Sequence, residues 1–182
     1  MAGIKTTEYQ GIDRLLAPGV LAGILAATLM GIVVMVVAMA QRRGLLTPVY
    51  EVGALVDPDA LAASIQAAEQ GNPIWMEREP FVFGIGIHLV MGAVLGMVFW
   101  LIGRMAHLHG GMALAAGAGY GLGVMLVMWF GVLPLISRVL GPNSGVAAMA
   151  TTAGPATFVI AHLIFGLALG YWALRRPQDI NA

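Results

Sequence analysis

Two histidines, His88 and His162, are the residues in this chain whose type and setting could do chemistry. One opens the stretch His88-Leu89-Val90-Met91-Gly92-Ala93-Val94-Leu95-Gly96. The other opens His162-Leu163-Ile164-Phe165-Gly166-Leu167-Ala168-Leu169-Gly170. Both read H-L-x-x-G-x-x-L-G, and both lie inside long apolar runs. A titratable ring in hydrocarbon is costly and asks for a reason. The plainest reason is a hydrogen bond from each ring to a backbone carbonyl or hydroxyl of a neighbouring helix, which fixes the packing. A sharper one is axial ligation of a single b-type haem iron by two neutral imidazoles. Gly92 and Gly166, one turn from each ring, would then leave room for the macrocycle. A third is another metal or a proton relay. No carboxylate lies inside any apolar run, which argues against a non-haem metal shell.

The elements that must position these rings follow from composition. The chain has 182 residues, of which 59% are hydrophobic and 10% charged. Soluble domains carry about 25% charged residues, so this chain reads as a single all-α membrane domain over residues 1–182. Nine basic residues balance nine acidic ones, and nothing implies a nucleic-acid partner. There is no cysteine, which removes disulfides, thiolate metal sites and Cys nucleophiles together.

Four runs are long enough to cross a bilayer, which takes about 20 residues. They cover residues 18–40, 81–103, 111–133 and 155–174. The polar lead 1–17 lacks the form of a secretory signal. The first run carries Gly19, Gly23, Ala27 and Gly31 every four residues, a small-residue face for close helix approach. Residues 41–80 form an acidic connection. Within it Asp57-Pro58 predicts a cap and first turn for a short surface helix over 58–70, closed by Gly71. Trp75 and Met76 fall where headgroup-level residues are expected. Trp100, Trp129, Tyr171 and Trp172 suit an interfacial belt. His107 and His109 sit in a link short enough to force the second and third runs antiparallel. Pro134 is expected to end or kink the third run. Residues 135–154 read as a loop with a turn at Gly141-Pro142-Asn143.

Four crossings put both termini on one side. That side holds Lys5, Arg14, Arg104, Arg175 and Arg176, against Arg42, Arg43, Arg78 and Arg138 on the other. The positive-inside rule then favours cytoplasmic termini in the inner cell membrane. Runs two and four cross in the same direction, so their shared motif predicts a parallel repeat of two hairpins. His88 is eight residues past Pro80 and His162 seven past Pro155. Both rings should lie about 10–12 Å from the outer boundary, by the rise of a helix, on glycine-lined faces that look into the bundle.

The pattern His-x-x-x-Gly-x-x-x-Gly, followed by an aromatic, resembles that of a family of small, uncharacterised four-helix prokaryotic membrane proteins. Here it is His88, Gly92, Gly96, Trp100 and His162, Gly166, Gly170 with Tyr171-Trp172. The resemblance covers about residues 18–175, with 41–80 longer than usual. It implies the fold and no chemistry.

The other stretches read as packing. Gly117, Gly119, Gly121 and Gly123 lie within a run, not between a strand and a helix, and carry no nucleotide-loop meaning. Met30, Met35, Met39, Met91, Met97, Met125 and Met128 are spread over several runs and fill gaps or face lipid. Ser64, Ser137 and Ser144 have no His–carboxylate pair near them in sequence. The leading expectation is therefore a non-enzymatic subunit or assembly partner, contacting the bilayer and other membrane subunits or a second copy of itself. A bis-histidine haem electron carrier comes next, and a small transporter or channel last.

Overall fold

In the computed structural model the backbone is described for residues 7–141 and 145–175, and side chains for 16–141 and 149–175. Lys5, Pro142, Asn143, Ser144 and Arg176 lie outside those ranges. The described residues are predominantly helical, without strands. In chain order the helices are α1 (Thr7–Ala40), α2 (Thr47–Gly53), α3 (Asp59–Glu69), α4 (Arg78–Met105), α5 (Gly110–Val127), a π-helical turn (Met128–Val132), α6 (Leu133–Leu140), α7 (Gly145–Ala153) and α8 (Pro155–Leu174). Four stretches are long and apolar enough to cross a membrane: Leu16–Ala40, Arg78–Met105, Gly110–Leu140 and Pro155–Leu174.

Glycine sets how these helices pair. α1 packs on α4, and α5 packs on α8. At the first interface a Cβ on Gly23 would overlap the Gly92 carbonyl and lie 2.9 Å from the Gly96 Cα. At the second, a Cβ on Gly117 would overlap the Gly166 carbonyl and lie 2.9 Å from the Gly170 Cα. The Gly19 carbonyl faces Gly96, and the Ala113 carbonyl faces Gly170. Backbones this close admit no side chain between them, which maximises dispersion contact where lipid supplies no hydrophobic drive. α1 and α8 join the two pairs through Ala22, Ala26, Phe165 and Leu169. α4 and α5 meet mainly where the Tyr120 ring packs tilted against Phe99 at 5.2 Å and its hydroxyl donates to the Leu95 carbonyl at 2.7 Å.

Three differences from the sequence expectations concern the far end of the bundle. The third stretch does not stop at Pro134. Proline lacks an N–H, and the π turn just before it absorbs the break, so the helix continues to Leu140. Residues 135–154 are not a loop, because α6 and α7 fill most of them; Gly141, at φ 95°, makes the bend between. The connection 41–80 holds a second helix, α2, besides the expected α3. α3 starts one residue later than expected, at Asp59 with Pro58 in the N-cap place, and Asp57 Oδ1 accepts the Asp59 N–H at 3.0 Å.

α2 is a structural plug. Val49 lies against Gly84, and Gly53 against Pro80, so α2 docks directly on the start of α4. Tyr50 is fully buried, accepts the Glu77 N–H at 2.8 Å and meets Trp75 at 5.4 Å. Trp75 is thus a packing residue. Trp129 is another: it stands edge-on to Phe158 at 5.3 Å, in a cluster with Leu133 and Ala150. α2, α3 and α7 together form a cap over one end of the bundle. Residues 106–109 make the link at the other.

Candidate functional site

Below the cap, α1, α4 and α8 converge on His88 and His162. His88 Nε2 lies 3.0 Å from the Ala27 carbonyl of α1. A carbonyl only accepts, so Nε2 carries a proton, and in a neutral ring Nδ1 is then an acceptor. His162 uses the other nitrogen. Its Nδ1–H donates to the Phe158 carbonyl, one turn back in α8, at 2.8 Å. The Phe158 ring packs on the imidazole with centroids 4.4 Å apart. His162 is 5% exposed, and His88 is half-buried.

Two apolar cavities adjoin these rings. The first, about 210 Å³, lies between α1, α2, α4 and the α7–α8 corner. It is lined by Met30, Met35, Val52, His88 and Phe158 among others. The second, about 230 Å³, lies between α4 and the cap end of the third stretch. It has both His88 and His162 in its wall, with Met91, Val124, Met128 and Leu133. Ala27, Met30, Val52, His88, Met149 and Phe158 belong to both walls, so these residues partition the two spaces.

The room expected beside each histidine for a macrocycle is not at the glycines. Gly92 borders the second cavity, but its Cα faces Ala27 and Gly23 of α1. Gly166 is closed off by Gly117 and Gly121 of α5. His88 also turns its Nε2–Cδ2 edge to Gly31 of α1. Backbone carbonyls engage one nitrogen of each ring, Nε2 of His88 and Nδ1 of His162, so only His88 Nδ1 and His162 Nε2 remain for any ligand.

Sequence reasoning passed over a carboxylate at the first cavity. Glu51 of α2 is 2% exposed and lies in the wall of the first cavity. Its Oε1 accepts from Arg43 Nη1 at 3.0 Å. Arg43 Nε donates to Gln41 Oε1 at 3.0 Å, while Nη2 is buried with no hydrogen-bond partner among the described residues. Burial pushes the Glu51 carboxyl up to about 7, and the Arg43 guanidinium only partly offsets this. Beside it, Thr47 donates its hydroxyl to the Arg43 carbonyl and meets Ser64 Oγ at 3.1 Å. The only sequence signal is a spacing that becomes meaningful once α2 is known to be helical. Thr47 and Glu51 are four apart in the otherwise apolar Leu45–Val56, which puts both on one helical face.

His107 and His109 are exposed in the link, where His109 Nδ1 donates to the His107 carbonyl at 2.8 Å. They are remote from the cavities.

Fold and site together define an all-helical protein with four apolar helices of membrane-crossing length and paired apolar cavities under a helical cap. No protein-family model, curated protein or solved structure matches the chain.

Proposed function

We propose that this chain is a multi-pass protein of the inner cell membrane, with both termini cytoplasmic. It works there as a non-enzymatic subunit or assembly partner. The observation that carries this reading is the bareness of the third stretch. Gly110–Leu140 is the least covered of the four. Phe130 and Val139 are each 73% exposed, and Val127 and Leu135 stand out beside them. Its neighbours bury the glycine edge of α5 and leave the aromatic and branched residues outward. Contiguous apolar area of this kind suits a partner helix or a second copy of the chain.

The bundle is further proposed to be a duplicated hairpin, α1–α4 followed by α5–α8. Supporting this, His88, Gly92 and Gly96 meet α1 in the register in which His162, Gly166 and Gly170 meet α5. Gly19, Gly23 and Ala27 answer to Ala113, Gly117 and Gly121. A haem carrier draws less support, since His88 presents its edge to α1. A transporter also draws less, since the cavity walls are almost wholly apolar.

The test is site-specific photocrosslinking in intact membranes, with a benzophenone side chain at Val127, Phe130 or Val139 and a comparison at Val90 of α4. A discrete protein adduct from the third stretch, absent from Val90, is expected. Adducts with lipid alone at all three positions would refute the reading.

A further inference from the structure

We propose that the first cavity binds an uncharged, membrane-soluble amphiphile through a hydroxyl group. At about 210 Å³ it exceeds the roughly 150 Å³ of a dry apolar cavity that accepts benzene. Its walls are apolar side chains such as Met30, Val34, Met35, Val52, Leu89 and Phe158. The polar exceptions are Glu51, His88, Thr28 and Thr157. Thr28 spends its hydroxyl proton on the Ile24 carbonyl at 2.8 Å.

The headgroup follows from what those exceptions offer. At pH 8, above the value of about 7 to which burial raises Glu51, its ion-paired carboxylate only accepts hydrogen bonds. His88, its proton committed to Ala27, offers a bare Nδ1 that also only accepts. Thr157 can do either. A complementary headgroup must therefore donate. It must also be neutral. Arg43, standing behind Glu51 and outside the cavity wall, already balances the carboxylate charge. A charged ligand would bring an uncompensated charge into an apolar space, which costs far more than a hydroxyl. A hydroxyl on an apolar body meets both conditions.

The way in is lateral. Thr28 and Ile32 line the cavity and are themselves exposed on the flank of α1, Ile32 by 49%. With α1 crossing the bilayer as proposed above, that mouth opens into hydrocarbon. This part of the inference rests on the membrane reading, whereas the headgroup preference does not. Loss of the protein from the membrane fraction would remove the first and leave the second to be measured in micelles.

The cavity methionines serve as reporters. The full chain, labelled with carbon-13 at the methionine methyls, is titrated in micelles at pH 8 with decanol, decanoate, decylamine and decyl methyl ether. Decanol should shift the Met30, Met35 and Met149 signals saturably. The exposed Met39, Met76 and Met105 should drift without saturating. The two charged compounds, and the ether that lacks the O–H, should bind about tenfold more weakly or worse, the worth of one hydrogen bond to a charged or committed acceptor. Ala153→Leu narrows the cavity from α7 and should abolish the saturable shift. Thr157→Leu does so from α8, should the first variant not fold. Absence of saturable shifts at the three methionines, equal binding of all four compounds, or unchanged binding in a folded variant would each overturn the proposal.

Discussion

Alternate glycines of α5 should respond in opposite senses to the same substitution. Gly117 and Gly121 face α8. A methyl on Gly117 would lie 2.9 Å from the Gly170 Cα and overlap the Gly166 carbonyl. One on Gly121 would lie 3.0 Å from the Gly166 Cα and overlap the His162 carbonyl. Ordinary contacts of this kind begin at 3.4 Å, and the atoms in the way are backbone. The two helices must therefore part by roughly half an ångström or more, and overpacking of this sort costs about 1–3 kcal/mol. Gly119 and Gly123, on the same helix, meet nothing within 4 Å. There alanine removes glycine's excess conformational freedom and should gain about 0.5–1 kcal/mol. Gly117→Ala and Gly119→Ala should thus differ by about 2 kcal/mol or more, a factor of about 30 in the folding equilibrium at roughly 1.4 kcal/mol per decade. Reversible unfolding in mixed micelles, followed by circular dichroism, reads this directly. Equal effects at the two positions, or a neutral Gly117→Ala, would refute the backbone-contact account of the α5–α8 interface.

Two further outcomes follow from the site. Glu51 has its carboxyl raised from 4.5 to about 7, chiefly by burial, so between those values the folded chain holds the extra proton. Stability from this group is full below pH 4.5 and falls as pH rises to about 7, by about 3 kcal/mol at roughly 1.4 kcal/mol per pH unit. Unfolding midpoints of wild type and Glu51→Gln, compared across that window, should separate as pH rises, with wild type falling relative to the variant; a parallel pair of curves would count against it. His88→Asn removes the 3.0 Å bond to Ala27 and should cost about 0.6–1.7 kcal/mol, the range for hydrogen bonds between membrane helices. A much larger loss in the same unfolding assay would mean that the ring does more than tie α4 to α1.

The four apolar stretches were legible because hydropathy over some 20 residues is a summed signal that tertiary context seldom overrides. α3 was legible because Asp57-Pro58 and Gly71 bracket it. α2 was not. It is seven residues long, too short for periodicity to declare itself, and it is held by docking on Gly84 and Pro80 more than by its own propensity. The extension through Pro134 was hidden because a π turn has no sequence signature of its own. The small-residue face of α1 was readable, but which glycines of α5 touch a neighbour depends on the rotation of that helix. The two rings that the motif singles out both border the second cavity. The motif did not tell which nitrogen each ring would commit. Glu51 was overlooked because net acidity made residues 41–80 look like a solvated connection, while α2 folds inward.

The π turn at Met128–Val132 has a consequence for how the third helix tolerates change. Five residues there occupy the place of four in a regular helix. Each residue of an α-helix advances the azimuth by about 100°, so the turn sets the phase of α6 relative to α5. That phase is what lets Leu133 and Ile136 join the Phe158 cluster while Gly117 and Gly121 keep facing α8. The turn works as a slip joint: the two halves of one long helix dock on different neighbours, and neither has to be bent to fit.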